Sequence, residues 1–160
     1  MMIVMLFCVI YLLLVSALCR TDLKMGLLPD ALTCPLLWSG LLFQLCLFPE
    51  NLHDAVAGAM AGYGVLWCLY WGYRTVTGQE GIGYGDLKFL AALGSWHRWQ
   101  ALAGILIIAA LCGLLFCLVR GGVATNKTAP LPFGPFLALA GLITGYCEWQ
   151  FSALPISFVL

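Results

Sequence analysis

Long apolar runs separated by short polar breaks organise the whole chain. The first run is Ile3 to Leu18, with a possible start at Met1. The polar stretch Arg20 to Asp30 follows, in which Pro29 restrains the backbone before Asp30. Asp30 is placed to cap the next helix, expected from about Ala31 to Phe48 with Pro35 in its first turn or two. Pro49-Glu50-Asn51 ends that run, and Asn51 or Asp54 is a candidate cap for a third span, roughly Ala55 to Tyr73. Its Gly58, Gly62 and Gly64 permit close helix contact. A polar island, Glu80 to Lys88, comes next. The apolar piece Leu87 to Trp96 is short, since ten residues at about 1.5 Å each cover only about half of a roughly 30 Å hydrocarbon core. It extends back through Asp86, forward across His97-Arg98, or forms a short buried helix. Trp99 to Val119 is a clear span, Arg120 to Thr128 a polar loop, and Pro130, Pro132 and Pro135 bracket Phe133-Gly134. Phe136 to Trp149 is the last span, and Pro155 breaks the apolar tail.

This pattern predicts an all-α, polytopic transmembrane helical bundle of about six membrane segments. Composition agrees: 63% of the 160 residues are hydrophobic and 9% charged, against about 45–50% and about 25% in soluble domains. Only helices and closed barrels satisfy a backbone in lipid. Long runs rather than alternating ten-residue segments select helices. We expect one membrane-embedded domain over residues 1–160, with lipid around it. A formal net charge of zero gives no nucleic-acid footprint. Met1 to Cys19 lacks a positive n-region and an A-x-A exit, so it is expected to be a retained span rather than a signal peptide. The eight cysteines form no C-x-x-C pair and are expected to pack as small apolar groups, with no metal site. His53 and His97 give no support to a zinc site, and the six tryptophans suit packing and interfacial anchoring.

With six spans, Arg20, Lys24, Arg74, Lys88, Arg120 and Lys127 fall on one side and only Arg98 on the other. The positive-inside rule makes the loaded side cytoplasmic and both termini external, or periplasmic. Asp22 and Asp86 then share the cytoplasmic side.

A carboxylate beside a lipid-buried run is costly and therefore a functional candidate. Two close carboxyls can hydrolyse a peptide: the ionised one takes a proton from water, and the neutral one polarises the carbonyl and protonates the leaving amine. No metal or other cofactor is needed. Gly83 and Gly85 are expected to let the backbone bend and approach an extended substrate. Each signal alone has a plainer reading: Asp86 as a helix cap, Asp22 paired with Arg20 or Lys24 at the interface. Lys88 is a candidate for headgroups, or for contact with Asp22 or Asp86. Pro29, Asp30 and Glu80 are expected to be structural near the site, with Glu80 orienting a loop or binding Arg74. No Walker-type phosphate loop is present.

Three ordered motifs resemble the type IV prepilin peptidases. Asp22-Leu23-Lys24-Met25-Gly26-Leu27-Leu28-Pro29-Asp30, continuing to Trp38, resembles their first active-site region. Glu80-Gly81-Ile82-Gly83-Tyr84-Gly85-Asp86-Leu87-Lys88 resembles their G-x-G-D region, and Pro132-Phe133-Gly134-Pro135-Phe136 a third segment. The resemblance implies that Asp22 and Asp86 are catalytic and that Gly83, Gly85, Lys88, Pro132 and Gly134 shape the site or bind substrate. It also implies cleavage of type IV prepilins or type II secretion pseudopilins at the cytoplasmic face of the bacterial inner membrane. Many members also methylate the new N-terminus and carry a paired-cysteine loop before the first aspartate. No such loop precedes Asp22 here, so a peptidase module alone is expected, without methyltransferase activity. Gly26 stands where bulkier residues are common and is expected to be tolerated. The alternatives are a catalytically degenerate scaffold of a pilus or secretion system and a small transporter using the two carboxylates. A homo-oligomer stays open.

Overall fold

The computed structural model describes residues 2–78, 83–119 and 132–153. Glu80, Arg120 and Lys127 lie outside them. The order of elements is α1 (Met2–Met25), α2 (Asp30–Leu47), a single 3-10 turn (Pro49–Asn51), α3 (Leu52–Thr77), α4 (Tyr84–Val119) and α5 (Gly134–Ala153). The all-α expectation holds among the described residues. Among the described residues four helical stretches are long and apolar enough to cross a membrane: Met2–Met25, Asp30–Leu47, Pro49–Thr77 and Tyr84–Val119.

α1 runs on well past Leu18, because a polar residue ends an apolar run without breaking a helix. Gly26, with φ of 61°, stops it: its amide donates to the Asp22 carbonyl at 2.8 Å. Only glycine adopts that left-handed conformation at little cost. Asp22 therefore sits inside the last turns of α1 rather than in a loop after it. α2 starts at Asp30 itself, with Pro29 in extended geometry at the cap position and no capping side chain. The Asp30 side chain instead meets Lys88. Asn51 takes the cap position of α3, again without a side-chain bond. Asp54 accepts from Trp99 Nε1 and Gln100 Nε2, at 3.2 and 2.8 Å.

α4 is the centre of the bundle. From Asp86 to His97 every residue except Lys88 is buried. A helix apolar on all sides is covered on all sides, by protein or by lipid; α2, α3 and α5 pack along this one, and Phe7 and Tyr11 of α1 reach its end at Trp96 and His97. The short apolar piece thus extends back through Asp86 to Tyr84 and stops at Arg98, whose φ of 62° and ψ of 172° break the helix. The contacts with α5 reveal a reversal there. Leu93 lies against Gly141 and His97 against Gly145, whereas Gly113 and Phe116 lie against Phe136. The two halves of α4 therefore run in opposite directions.

α3 approaches the first half of α4 backbone to backbone. A Cβ at Gly58 would collide with the Gly94 carbonyl, and one at Gly62 would lie 2.8 Å from the Leu90 carbonyl oxygen. Gly64, expected to share this role, faces open space. Large apolar side chains cover much of the outer surface, including Leu13, Trp38, Met60, Ile107 and Leu115. In water such a surface would associate; in lipid it is the solvated face.

Candidate active site

The helix directions give the bundle two polar ends. One holds Asp22, Asp86, Lys88, Asp30 and Gly134. The other holds His97, Arg98, Asp54 and Glu148. Of the described basic residues, Arg20, Lys24, Arg74 and Lys88 belong to the aspartate end and Arg98 to the opposite one.

Asp22 and Asp86 are 6% and 8% exposed, the two buried acids among the described residues. Asp22 comes from the end of α1 and Asp86 from the first turn of α4. The carboxylates lie within each other's electrostatic field. Asp22 Oδ2 accepts a 2.9 Å hydrogen bond from the Gly134 amide, at the start of α5. A Cβ at Gly134 would sit 2.6 Å from that same oxygen, so the carboxylate fits against a residue with no side chain. The Gly83 backbone acts on the Asp86 carboxylate, and the Asp86 amide donates to the Gly83 carbonyl at 3.1 Å. Sequence order alone hides the role of the Gly134 amide, because a backbone donor has no letter. Its only signal was a glycine between Phe133 and Pro135 where an apolar helix begins.

The other candidates separate. Gly83 is exposed next to the Asp86 carboxylate, with no side chain of its own over it. Gly85 faces Leu28: a Cβ there would lie 2.7 Å from the Leu28 Cβ, so this glycine lets the α1–α2 link close on α4. Lys88 reaches neither aspartate and pairs with Asp30 at 2.6 Å. Pro29 holds the turn into α2, and its carbonyl accepts from the Leu32 and Thr33 amides. Pro132 and Phe133 are half-buried just before Gly134. Glu80 falls outside the described residues.

The arrangement can activate a water and protonate a leaving group with side chains alone. Among the described residues no group of His, Cys, Asp and Glu is arranged to hold a metal ion.

Fold and site together define a polytopic membrane protein with two buried carboxyls at one end of a helical bundle. Residues 6–118 match the type IV leader peptidase family, and the chain belongs to it. The match takes in both aspartates and ends before α5. Leader peptidase HopD of Salmonella typhimurium is 55% identical over 130 residues, covering 78% of this chain and 82% of that protein. Leader peptidase HopD of Escherichia coli is 53% identical over 129 residues, with the same coverage. A Prepilin leader peptidase/N-methyltransferase of Escherichia coli K12 is 50% identical over 129 residues, 80% of this chain but 57% of that longer protein. No solved structure matches significantly. The membership makes this chain a membrane peptidase and favours an enzyme over the scaffold alternative.

Proposed function

We propose that Asp22 and Asp86 are the catalytic pair of an aspartic endopeptidase that removes the leader of type IV prepilins or pseudopilins at the cytoplasmic membrane face. The observation that carries this reading is the burial of two carboxyls, from α1 and α4, at the same end of the bundle and inside the segment that matches the family. Like-charge repulsion and desolvation favour one shared proton. The ionised member takes a proton from the attacking water. The neutral member hydrogen-bonds the scissile carbonyl and then supplies a proton to the leaving amine. The Gly134 amide fixes one carboxylate so that its free oxygen faces the reaction.

The substrate's apolar helix stays in lipid while its scissile bond unwinds at the edge of the bundle. A helical substrate would hide its carbonyls in internal hydrogen bonds. At the exposed Gly83 no side chain keeps an extended strand from approaching the Asp86 carboxylate. The chain acts as a single membrane-embedded domain with α1, α2, α3, both halves of α4 and α5 as six membrane segments. The aspartate end faces the cytoplasm and the termini lie in the periplasm, by the placement of basic residues.

The test is co-expression with a type IV prepilin, followed by N-terminal sequencing of the product, with wild type and Asp86→Asn compared. A new terminus just before the apolar helix, seen only with wild type, is expected. Equal processing by a well-expressed Asp86→Asn chain would contradict the reading.

A further inference from the structure

A second polar layer crosses the bundle away from the aspartates. Tyr11 Oη lies 3.1 Å from His97 Nε2, and His97 Nδ1 lies 3.0 Å from Glu148 Oε2. Arg98 Nη2 is 3.8 Å from the other Glu148 oxygen. Tyr11 and His97 are 8% and 5% exposed, so these groups are hydrogen-bonded inside an apolar bundle. The geometry fits the tautomer whose Nδ1–H donates to the Glu148 carboxylate and whose Nε2 accepts from the Tyr11 hydroxyl.

The surroundings are shaped to this chain of contacts. A Cβ at Gly141 would lie 2.8 Å from Tyr11 Oη, and one at Gly145 would lie 3.1 Å from His97 Cε1. Two glycines one turn apart on α5 thus make room for the phenol and the imidazole. Gln44 Nε2 donates to the Trp96 carbonyl at 2.9 Å, and Trp96 Nε1 donates to the Leu36 carbonyl at 2.9 Å, fixing the helix end from α2. Arg98 holds a left-handed conformation uncommon outside glycine, which persists where the surroundings over-determine it.

We propose that Tyr11, His97 and Glu148 are positioning residues for the aspartate pair. This rests on the reading of Asp22 and Asp86 as catalytic. The layer ties α1, α4 and α5, the same helices that bring Asp22, Asp86 and Gly134 together. Eleven residues separate the layers on α1, from Tyr11 to Asp22, and eleven on α4, from Asp86 to His97. Both helices therefore rise about 16 Å between layers. Register set at one layer is transmitted to the other by rigid helix. A slip of one residue would move a carboxyl by about 1.5 Å and turn it by about 100°. Interhelical hydrogen bonds suit this task because apolar side chains in lipid lack a strong preference for one register.

The experiment uses the full chain in nanodiscs with a type IV prepilin. Cleavage is measured against pH and normalised to folded protein. The groups facing the layer are Tyr11 of α1, Gln44 of α2, Asp54 of α3, Arg98 of α4 and Glu148 of α5. Those at the other layer are Asp22, Asp86, and the Lys88–Asp30 pair. For His97→Ala, kcat falls on the order of 10²-fold with KM changed less than about twofold, and the limbs of the pH profile move. His97→Gln, whose amide offers both a donor and an acceptor, restores most of the rate. Tyr11→Phe deletes one oxygen, keeps the fold, and also moves the profile, with a smaller loss.

If His97→Ala does not fold, Tyr11→Phe decides. Wild-type kcat and pH profile in Tyr11→Phe, or a loss in either variant that only follows folded protein with the profile unmoved, overturns the proposal. Asp86→Asn in the same assay separates the two readings. If it cleaves normally, the catalytic assignment itself fails. If it is dead while His97→Ala and Tyr11→Phe are normal, only the positioning role fails.

Discussion

The Gly134 amide donates a 2.9 Å hydrogen bond to Asp22 Oδ2 across 112 residues of chain. The contact joins the first helix to α5 at one of the two buried acids. It also leaves no room for a side chain at residue 134. Gly134→Ala places a methyl 2.6 Å from the carboxylate oxygen, so Asp22 must move. Misplacing a reacting group by about 1 Å costs up to about 10²-fold. The expected result is a loss of roughly 10- to 100-fold in kcat in a prepilin cleavage assay, with the protein still folded in detergent.

Removing either carboxyl is expected to be more severe. Asp22→Asn and Asp86→Asn each keep the shape of the side chain but remove a group that gains and loses a proton. General acid–base groups contribute about 10²–10⁴-fold, and cleavage should fall by at least that range in both variants. Gel-shift of the processed substrate, with membrane levels of the enzyme matched, reads the effect.

The pH dependence should be bell-shaped. At low pH both carboxyls are protonated and no base remains; at high pH both are ionised and no acid remains. The two limbs belong to the pair rather than to either residue. Initial rates across pH, with the folded state followed in parallel, check this. A flat profile would argue against a shared proton.

The close approach of α3 to α4 gives a stability prediction. Gly58→Leu has no space, because the Gly94 carbonyl occupies it. Overpacking costs about 1–3 kcal/mol, and the backbone contact leaves little freedom to relax. Thermal unfolding in detergent should show a clear drop, and Gly64→Leu, facing open space, should show little change.

The Lys88–Asp30 pair should matter much less. Its side chains are 40% and 62% exposed, and exposed pairs contribute about 0–1 kcal/mol. Lys88→Met is expected to leave thermal stability within that range. A large loss of cleavage at unchanged stability would instead give Lys88 a direct part in the site.

Apolar runs disclosed the helices, since a run of that length has few other solutions in lipid. They did not disclose where helices end. α1 continues through Arg20 and Asp22 to Met25, because hydropathy reports a span and backbone geometry reports a helix. Gly26 carried the true stop signal. The break at Arg98 has no glycine or proline to mark it. The aspartates were legible because acids are scarce in such a chain. Their neighbours were less so. Gly85 accommodates Leu28, and Lys88 meets Asp30, both decided by helix rotation. The His97–Glu148 contact links positions 51 residues apart, and its only trace was a lone acid near the end of the last apolar run.

The position of α5 also gives assembly a direction. By the time synthesis has reached Val119, both acids and the helices that carry them are made. The amide that seats Asp22 belongs to a helix that has yet to leave the ribosome. If Asp22 is catalytic as proposed, proteolytic competence waits for α5 to dock, and a half-made enzyme is harmless to the membrane proteins emerging around it.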